Sequence, residues 1–274
     1  MKLNSRGMAS FQHHTHHRMF TSKITGLSDQ TILRYCKEDE SSKVGRILYD
    51  AFRLEPLMRS IPFSEDETKK FWFEQGIIRP DDKKVILGAA SKHDDANLFG
   101  VMVVEPVSIE EIDDSKINYL KIDAIDYMLI NARKVFWQQL VEKYPSEKLK
   151  LKDRNRYFRI SDLGVCPSAW GRGVAGTLLS EVPRVISDIQ NRTNVSPTSP
   201  NSYIVYAETS SRVIQNLLRK RGFETWARFN YDQNSKSWAE FVTNYDIKGA
   251  KMMGPCDEEE MLLQVQLSNI EEEA

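Results

Sequence analysis

Histidine is scarce where it would matter most. Of the five histidines in this 274-residue chain, His13, His14, His16 and His17 cluster near the N-terminus, and only His93 lies beyond them. That nearly excludes a catalytic histidine from the folded part, so a general base there has to be another side chain or water. Cysteine is sparse too. Cys36, Cys166 and Cys256 are too few and too scattered for a disulfide framework or a zinc site, which points to a reducing, cytoplasmic setting and no bound metal. No apolar run is long enough to span a bilayer, and no secretory segment is visible, so no membrane partner is expected. A net charge of −1 gives no hint of a nucleic-acid surface, although a local basic patch remains compatible with it.

What the chain does have is a glycine-rich stretch past its middle, Tyr157 to Leu179. Phe158, Ile160, Leu163 and Val165 suit a largely buried strand. Pro167 ends the ladder because it lacks an N–H. Gly171, Gly173 and Gly176 then open a helix, where unpaired amides and the helix dipole favour a phosphate. Two readings compete. Gly171-x-Gly173-x-x-Gly176 satisfies the dinucleotide spacing, which would make the protein a nicotinamide-dependent oxidoreductase. In that fold, however, the first glycine follows the strand almost directly, within a βαβ unit. Here a loop holding Pro167 and Trp170 intervenes, and the nearest strand-end acid, Glu208, comes too late for the ribose.

The other reading is a resemblance. Trp170-Gly171-Arg172-Gly173-Val174-Ala175 resembles the Gln/Arg-x-x-Gly-x-Gly/Ala loop of motif A in the GCN5-related N-acetyltransferases (GNAT), departing from it at Trp170. Leu163-x-Val165-x-Pro167 before it and Leu178-Leu179 after it also match, as does Lys220-Arg221-Gly222-Phe223. The fold this implies is α/β (α+β): a mixed, mostly antiparallel central sheet with splayed central strands and helices on both faces. An extra helix is inserted before the central strand.

The rest of the chain agrees with that order. Residues 1–28 contain no acidic residue and read as a flexible leader; an organellar transit peptide or a metal-binding tract are the alternatives. The domain is expected over 29–250. Strands are predicted at Thr31–Cys36, Lys84–Ala90, Leu98–Val104, around Phe158, at Tyr203–Ala207, at Phe223–Tyr231 and, as the hairpin partner of the last, at Trp238–Asn244. Helices are predicted at Glu38–Phe52, between Tyr119 and Tyr144 with Ile125, Met128, Leu129, Ala132, Val135, Phe136 and Leu140 as core, and at Arg212–Arg221, stopped by Gly222. The helix after the central strand carries Val174, Leu178, Val182, Val185 and Ile189 on one face, and Pro183 should bend or interrupt it. Residues 191–202 read as a surface loop, and 251–274 as a polar, acidic tail.

Carried over residue by residue, the resemblance implies acetyl-CoA as cofactor. Backbone of Leu163, Gly164 and Val165 would hold the pantetheine arm and the acetyl carbonyl, Val165 N–H being the oxyanion donor. The amides of Gly171, Arg172, Gly173, Val174, Ala175 and Gly176 would take the diphosphate, Arg172 adding charge. Glu55-Pro56-Leu57 resembles the segment that carries the catalytic glutamate of invertebrate arylalkylamine (dopamine-type) N-acetyltransferases. This makes Glu55, acting through water, the general base for a small primary amine. A plain surface glutamate ahead of a proline is the alternative. Phe52, Leu57 and Met58, with Trp72 nearby, would line the acceptor side. Vertebrate arylalkylamine acetyltransferases place two histidines where this chain has Arg159 and Ser161. The usual thiolate-protonating Tyr is replaced by Leu218, so that role passes to Ser210 or Ser211, unless these only cap a helix. Cys166 without a neighbouring histidine suits a small buried hydrophobe better than a nucleophile. Polyamine or protein acceptors, and an inactive acetyl-CoA-binding module, are the rival readings; the oligomeric state is not legible.

Overall fold

The computed structural model describes residues 31–53, 64–78, 83–94, 97–107, 124–146, 156–192, 203–230 and 260–268. The leader, Glu55, Leu57, Met58, the loop beyond Arg192 and the strand expected at Trp238–Asn244 lie outside the described residues, as do the expected core side chains Ile125, Met128, Leu129 and Ala132.

In chain order, the elements are β1 (Thr31–Tyr35), α1 (Ser41–Phe52), α2 (Glu65–Gln75), β2 (Val85–Ser91) and β3 (Leu98–Pro106). Then come α3 (Ala124–Lys143), β4 (Tyr157–Val165), α4 (Val174–Ser180), α5 (Val182–Arg192), β5 (Tyr203–Thr209), α6 (Arg212–Lys220), β6 (Glu224–Asn230) and β7 (Glu260–Ser268). The seven strands form one sheet in the order β1-β2-β3-β4-β5-β7-β6. Every pairing is antiparallel except β4 with β5.

Strand alternation divides the core in two. Leu33, Leu87, Met102, Val104, Phe158, Ile160 and Val205 point to α4, α5 and α6. Ile32, Ile86, Val101 and Val103 point to α1 and α2. Both sides of β2 are therefore covered, which is why its sequence is a continuous apolar run rather than an alternation. On the α1 side, α3 covers β4 and β5: Phe136 and Trp137 pack against Tyr157, Tyr206 and Trp226.

Local chemistry explains the helix limits. Ser64 and Glu67 form a reciprocal capping box at the start of α2, satisfying two otherwise orphaned donors. The helix expected after the central strand divides into α4 and α5 around Glu181. Pro183 falls in the first turn of α5, where a missing N–H costs nothing. Val174, Leu178, Val182, Val185 and Ile189 all remain buried across the break. Near α1, Arg34 makes two short bonds to Glu40, at 2.7 and 2.6 Å. Burial alone would raise the Glu40 pKa, but Arg34 and the Lys37 amide outweigh it and hold the carboxyl below its ordinary value.

One expectation is corrected. Part of the segment read as an acidic tail, Glu260–Ser268, is a strand seated between β5 and β6. Acidic runs at 257–260 and 271–273 dominate its composition and hide the short Leu262–Leu267 stretch between them. Gln264 is fully buried and donates to the Gln215 carbonyl (3.2 Å). The partner of β6 among the described residues is thus β7.

Candidate active site

Among the described strands, the sheet opens at its one parallel seam. β4 and β5 pair only from Tyr157–Ile160 to Ile204–Ala207. Beyond Ile160, β4 runs on with β3 alone, while the end of β5 pairs with β7. The divergence coincides with a bulge. Val103 faces Asp162 and Val104 faces Ile160, so Ser161 is the extra residue. A bulge bends its strand and re-aims the side chains beyond it.

The backbone groups along the opening are set by the ladder. Cys166 N–H donates to the Phe99 carbonyl (2.8 Å). In an antiparallel pair, successive residues turn their N–H and C=O to alternate sides, so Gly164 faces β3 while Leu163 and Val165 face away from it, into the opening. The Trp170 indole N–H reaches back to the Val165 carbonyl at 2.9 Å, on that same side.

The turn after β4 presents more amides. Gly171 (φ +75°) and Gly173 (φ +79°) are left-handed, and a Cβ on either would meet no protein atom within 4 Å. They are needed for backbone shape, not for packing room. Thr177 N–H is the first to bond back into α4, to Gly173 O (3.0 Å). The amides of Gly173, Val174, Ala175 and Gly176 precede it and make no backbone hydrogen bond among the described residues, as expected for a first turn. The Arg172 amide points to Ala169 O at 3.4 Å, and its side chain is exposed.

On the α1 side, a Cβ at Gly164 would lie 3.2 Å from Leu48 and 3.4 Å from Ala51, so the end of α1 packs directly over β4. Phe52, next in the chain, stacks on Trp72 with ring centroids 4.3 Å apart. The Trp72 indole N–H is buried and has no hydrogen-bond partner among the described residues.

Charges that sequence reasoning gave no joint role gather on this same side. Arg133 of α3 pairs with Glu208 of β5 through bonds of 2.5 and 2.8 Å. Arg159 of β4 pairs with Glu105 of β3 and lies 4.0 Å from Glu208. Burial opposes the Arg159 charge, but Tyr206, Glu105 and Glu208 outweigh it and raise its pKa. Burial pushes the Tyr206 hydroxyl up to about 12, the two arginines pulling it down. Asp162 is raised to about 6, first by burial; the Ser161 hydrogen bond (2.9 Å) and Arg159 lower it, and Glu105 raises it. The sequence signal for this array was a strand whose apolar run is interrupted by Arg159 and Asp162, together with acids at the ends of β3 and β5.

Ser210 directly follows β5, on the opposite wall of the opening, and is buried. Ser211 is the N-cap residue of α6, yet its side chain makes no capping bond. Leu218 sits in the core. Burial pushes the Cys166 thiol up, and it contacts the Leu98 carbonyl at 3.6 Å, which disfavours a thiolate. Among the described residues, no three or more His, Cys, Asp or Glu side chains are placed to hold a metal, and no helix is long and apolar enough to cross a membrane.

A mixed sheet parted between a bulged strand and its parallel neighbour, followed by a glycine turn, is the GNAT fold. Solved structures agree. The chain is similar to a mosquito arylalkylamine N-acetyltransferase like 5b, at TM-score 0.56 and 16% identity over 86% of this chain and 99% of that one. It is similar to an agmatine N-acetyltransferase, at 0.57 and 15% over 87% and 100%. It is similar to a Drosophila melanogaster polyamine N-acetyltransferase, at 0.56 and 14% over 86% and 99%. No protein-family model and no curated protein matches the sequence.

Proposed function

We propose that the protein is an acetyl-CoA-dependent N-acetyltransferase for a small primary amine, an arylalkylamine being the favoured class. The observation that carries this reading is the parted seam, where Leu163 and Val165 turn their backbone groups into the opening and the amides of Gly173–Gly176 follow. A thioester arm laid along β4 would bond to the backbone of Leu163 and to Val165 N–H, which would face the acetyl oxygen as charge develops, the Val165 carbonyl being held by the Trp170 indole. The diphosphate would rest on the glycine turn, Arg172 adding charge from the surface. Acetyl-CoA supplies the activated acyl group; the chain supplies its orientation and the removal of a proton from the acceptor. Glu55, acting through water, is the base the resemblance nominates, and Ser210 or Ser211 the group that protonates the departing thiolate. The Phe52–Trp72 stack, on the same side of the sheet as Asp162, suits the flat, cationic end of an arylalkylamine.

Small-amine and polyamine acceptors both appear among the enzymes that share this fold, so the first experiment is a panel. Thiol release from acetyl-CoA is measured with tryptamine, dopamine, agmatine, spermidine and a lysine peptide. Turnover with the aryl amines is expected. Turnover confined to agmatine or spermidine would move the assignment to polyamines. Exchange of Glu55→Gln should lower kcat about 10²-fold or more; an unchanged rate would remove it from the mechanism. Coenzyme A at a hundred times its Kd should stabilise the fold by about 2.7 kcal/mol, a rise in Tm of roughly 5–10 °C for a domain of this size. A shift with NAD and none with coenzyme A would instead restore the dinucleotide reading. Coenzyme binding without turnover on any amine would indicate an inactive binding module.

A further inference from the structure

We propose that Asp162 is the carboxylate that binds the acceptor's ammonium and takes its first proton. The proposal rests on the acetyltransferase reading. It deepens that reading by naming a group on β4 itself.

Position comes first. Asp162 is the residue next to the bulge at Ser161, and it immediately precedes Leu163, whose amide faces the opening. Alternation gives it the same face as Gly164, two residues on, and that face lies under Leu48 and Ala51 of α1. The carboxylate therefore stands on the α1 side of the sheet, beside the thioester path and on the side of Phe52. It is deep within the protein, yet the residue keeps part of its surface open to solvent. The neighbouring Arg159 and Glu105 side chains each retain 25% exposure. A group that is deep but still wetted lies at the floor of an opening, not in a sealed core.

Charge supplies the second argument. Arg133 and Arg159 are matched by Glu208 and Glu105. Asp162 is the carboxylate left over. Among the described residues it has one hydrogen-bond partner, the Ser161 hydroxyl, and no ion pair. A buried carboxylate with a single neutral donor lacks compensation, and an ammonium arriving from solvent would provide it. The groups that act on it are Arg159 and Ser161 on its own strand, Glu105 on β3, and Lys84 just ahead of β2.

Titration suits that role. A base that gives up its proton near pH 6 is ionised at neutrality yet more basic than an ordinary carboxylate. In the step itself, one ammonium proton moves to an Asp162 oxygen. The freed nitrogen lone pair forms the C–N bond to the acetyl carbon as the C–S bond breaks. A second nitrogen proton goes to the thiolate, and the proton on Asp162 leaves through water to solvent. One amide, one thiol and one proton result.

The test is the pH profile of kcat/KM for the best amine, with wild type, Asp162→Asn and Asp162→Glu. Wild type should gain activity as pH rises through about 6, because only the ionised carboxylate accepts the proton. Asp162→Asn should lose that limb and fall about 10²-fold or more in kcat, with Kd for coenzyme A unchanged. Asp162→Glu should restore part of the rate. A wild-type profile with no limb near pH 6 overturns the proposal without any variant. So does an Asn variant that keeps the wild-type rate and limb, or a limb that Glu55→Gln removes and Asp162→Asn retains. A wild type that neither binds coenzyme A nor turns over any amine refutes the acetyltransferase reading instead.

Discussion

Gly173 shows how a single residue shapes the site. Its φ of +79° lies where an L side chain is disfavoured, yet a Cβ there would touch no protein atom. The cost of Gly173→Ala is therefore a backbone cost alone, about 1–2 kcal/mol. Urea unfolding should show that modest loss, while the Kd for coenzyme A rises further because the amides of the turn are displaced. Equal losses in stability and affinity would mean that the turn only supports α4. The glycines were legible from spacing, since a turn that needs left-handed residues writes them into the sequence. Asp162 was not. Its importance comes from the bulge at Ser161 and from Glu105 on β3 and Lys84 ahead of β2, and no local pattern announces neighbours so distant in the chain.

Among elements, α1 and the end of α2 approach closely. A Cβ on Gly76 would fall 2.4 Å from the Gly45 nitrogen and 2.6 Å from its Cα. Backbone cannot yield as a side chain does, so Gly76→Ala must push the two helices apart. A loss of about 1–3 kcal/mol is expected from such overpacking, and urea denaturation measures it; no measurable loss would show that the pair slides freely. Because α1 also sits over Gly164, the same variant should raise KM for the amine more than for acetyl-CoA. Most elements could be read beforehand. Continuous apolar runs marked β2 and β5, and the periodicity around Pro183 marked the broken helix. β7 escaped because acidic flanks outweighed a short apolar stretch, and because β6 could be given a nearer partner at Trp238–Asn244. The strand that pairs with both β5 and β6 is chosen by the sheet, and propensity alone does not reveal that choice.

For the whole molecule, the position of β7 decides what can be removed. It lies between β5 and β6, pairing with β6 from Glu260 to Val265 and with β5 from Leu262 to Ser268. Stopping the chain after residue 259 would leave two strands without a common neighbour and expose unpaired edges on both, a template for aggregation. Such a truncation should be insoluble on expression. A soluble, cooperative fragment 1–259 would show that β7 is dispensable. The arrangement also fixes an order of events during synthesis. A ribosome delivers β6 about thirty residues before the strand that must separate it from β5, so the emerging sheet waits with a missing member. Until Ser268 clears the exit tunnel, the wall of the opening that carries Glu208 and Ser210 has no finished support, and the nascent protein has no complete site with which to meet its substrates.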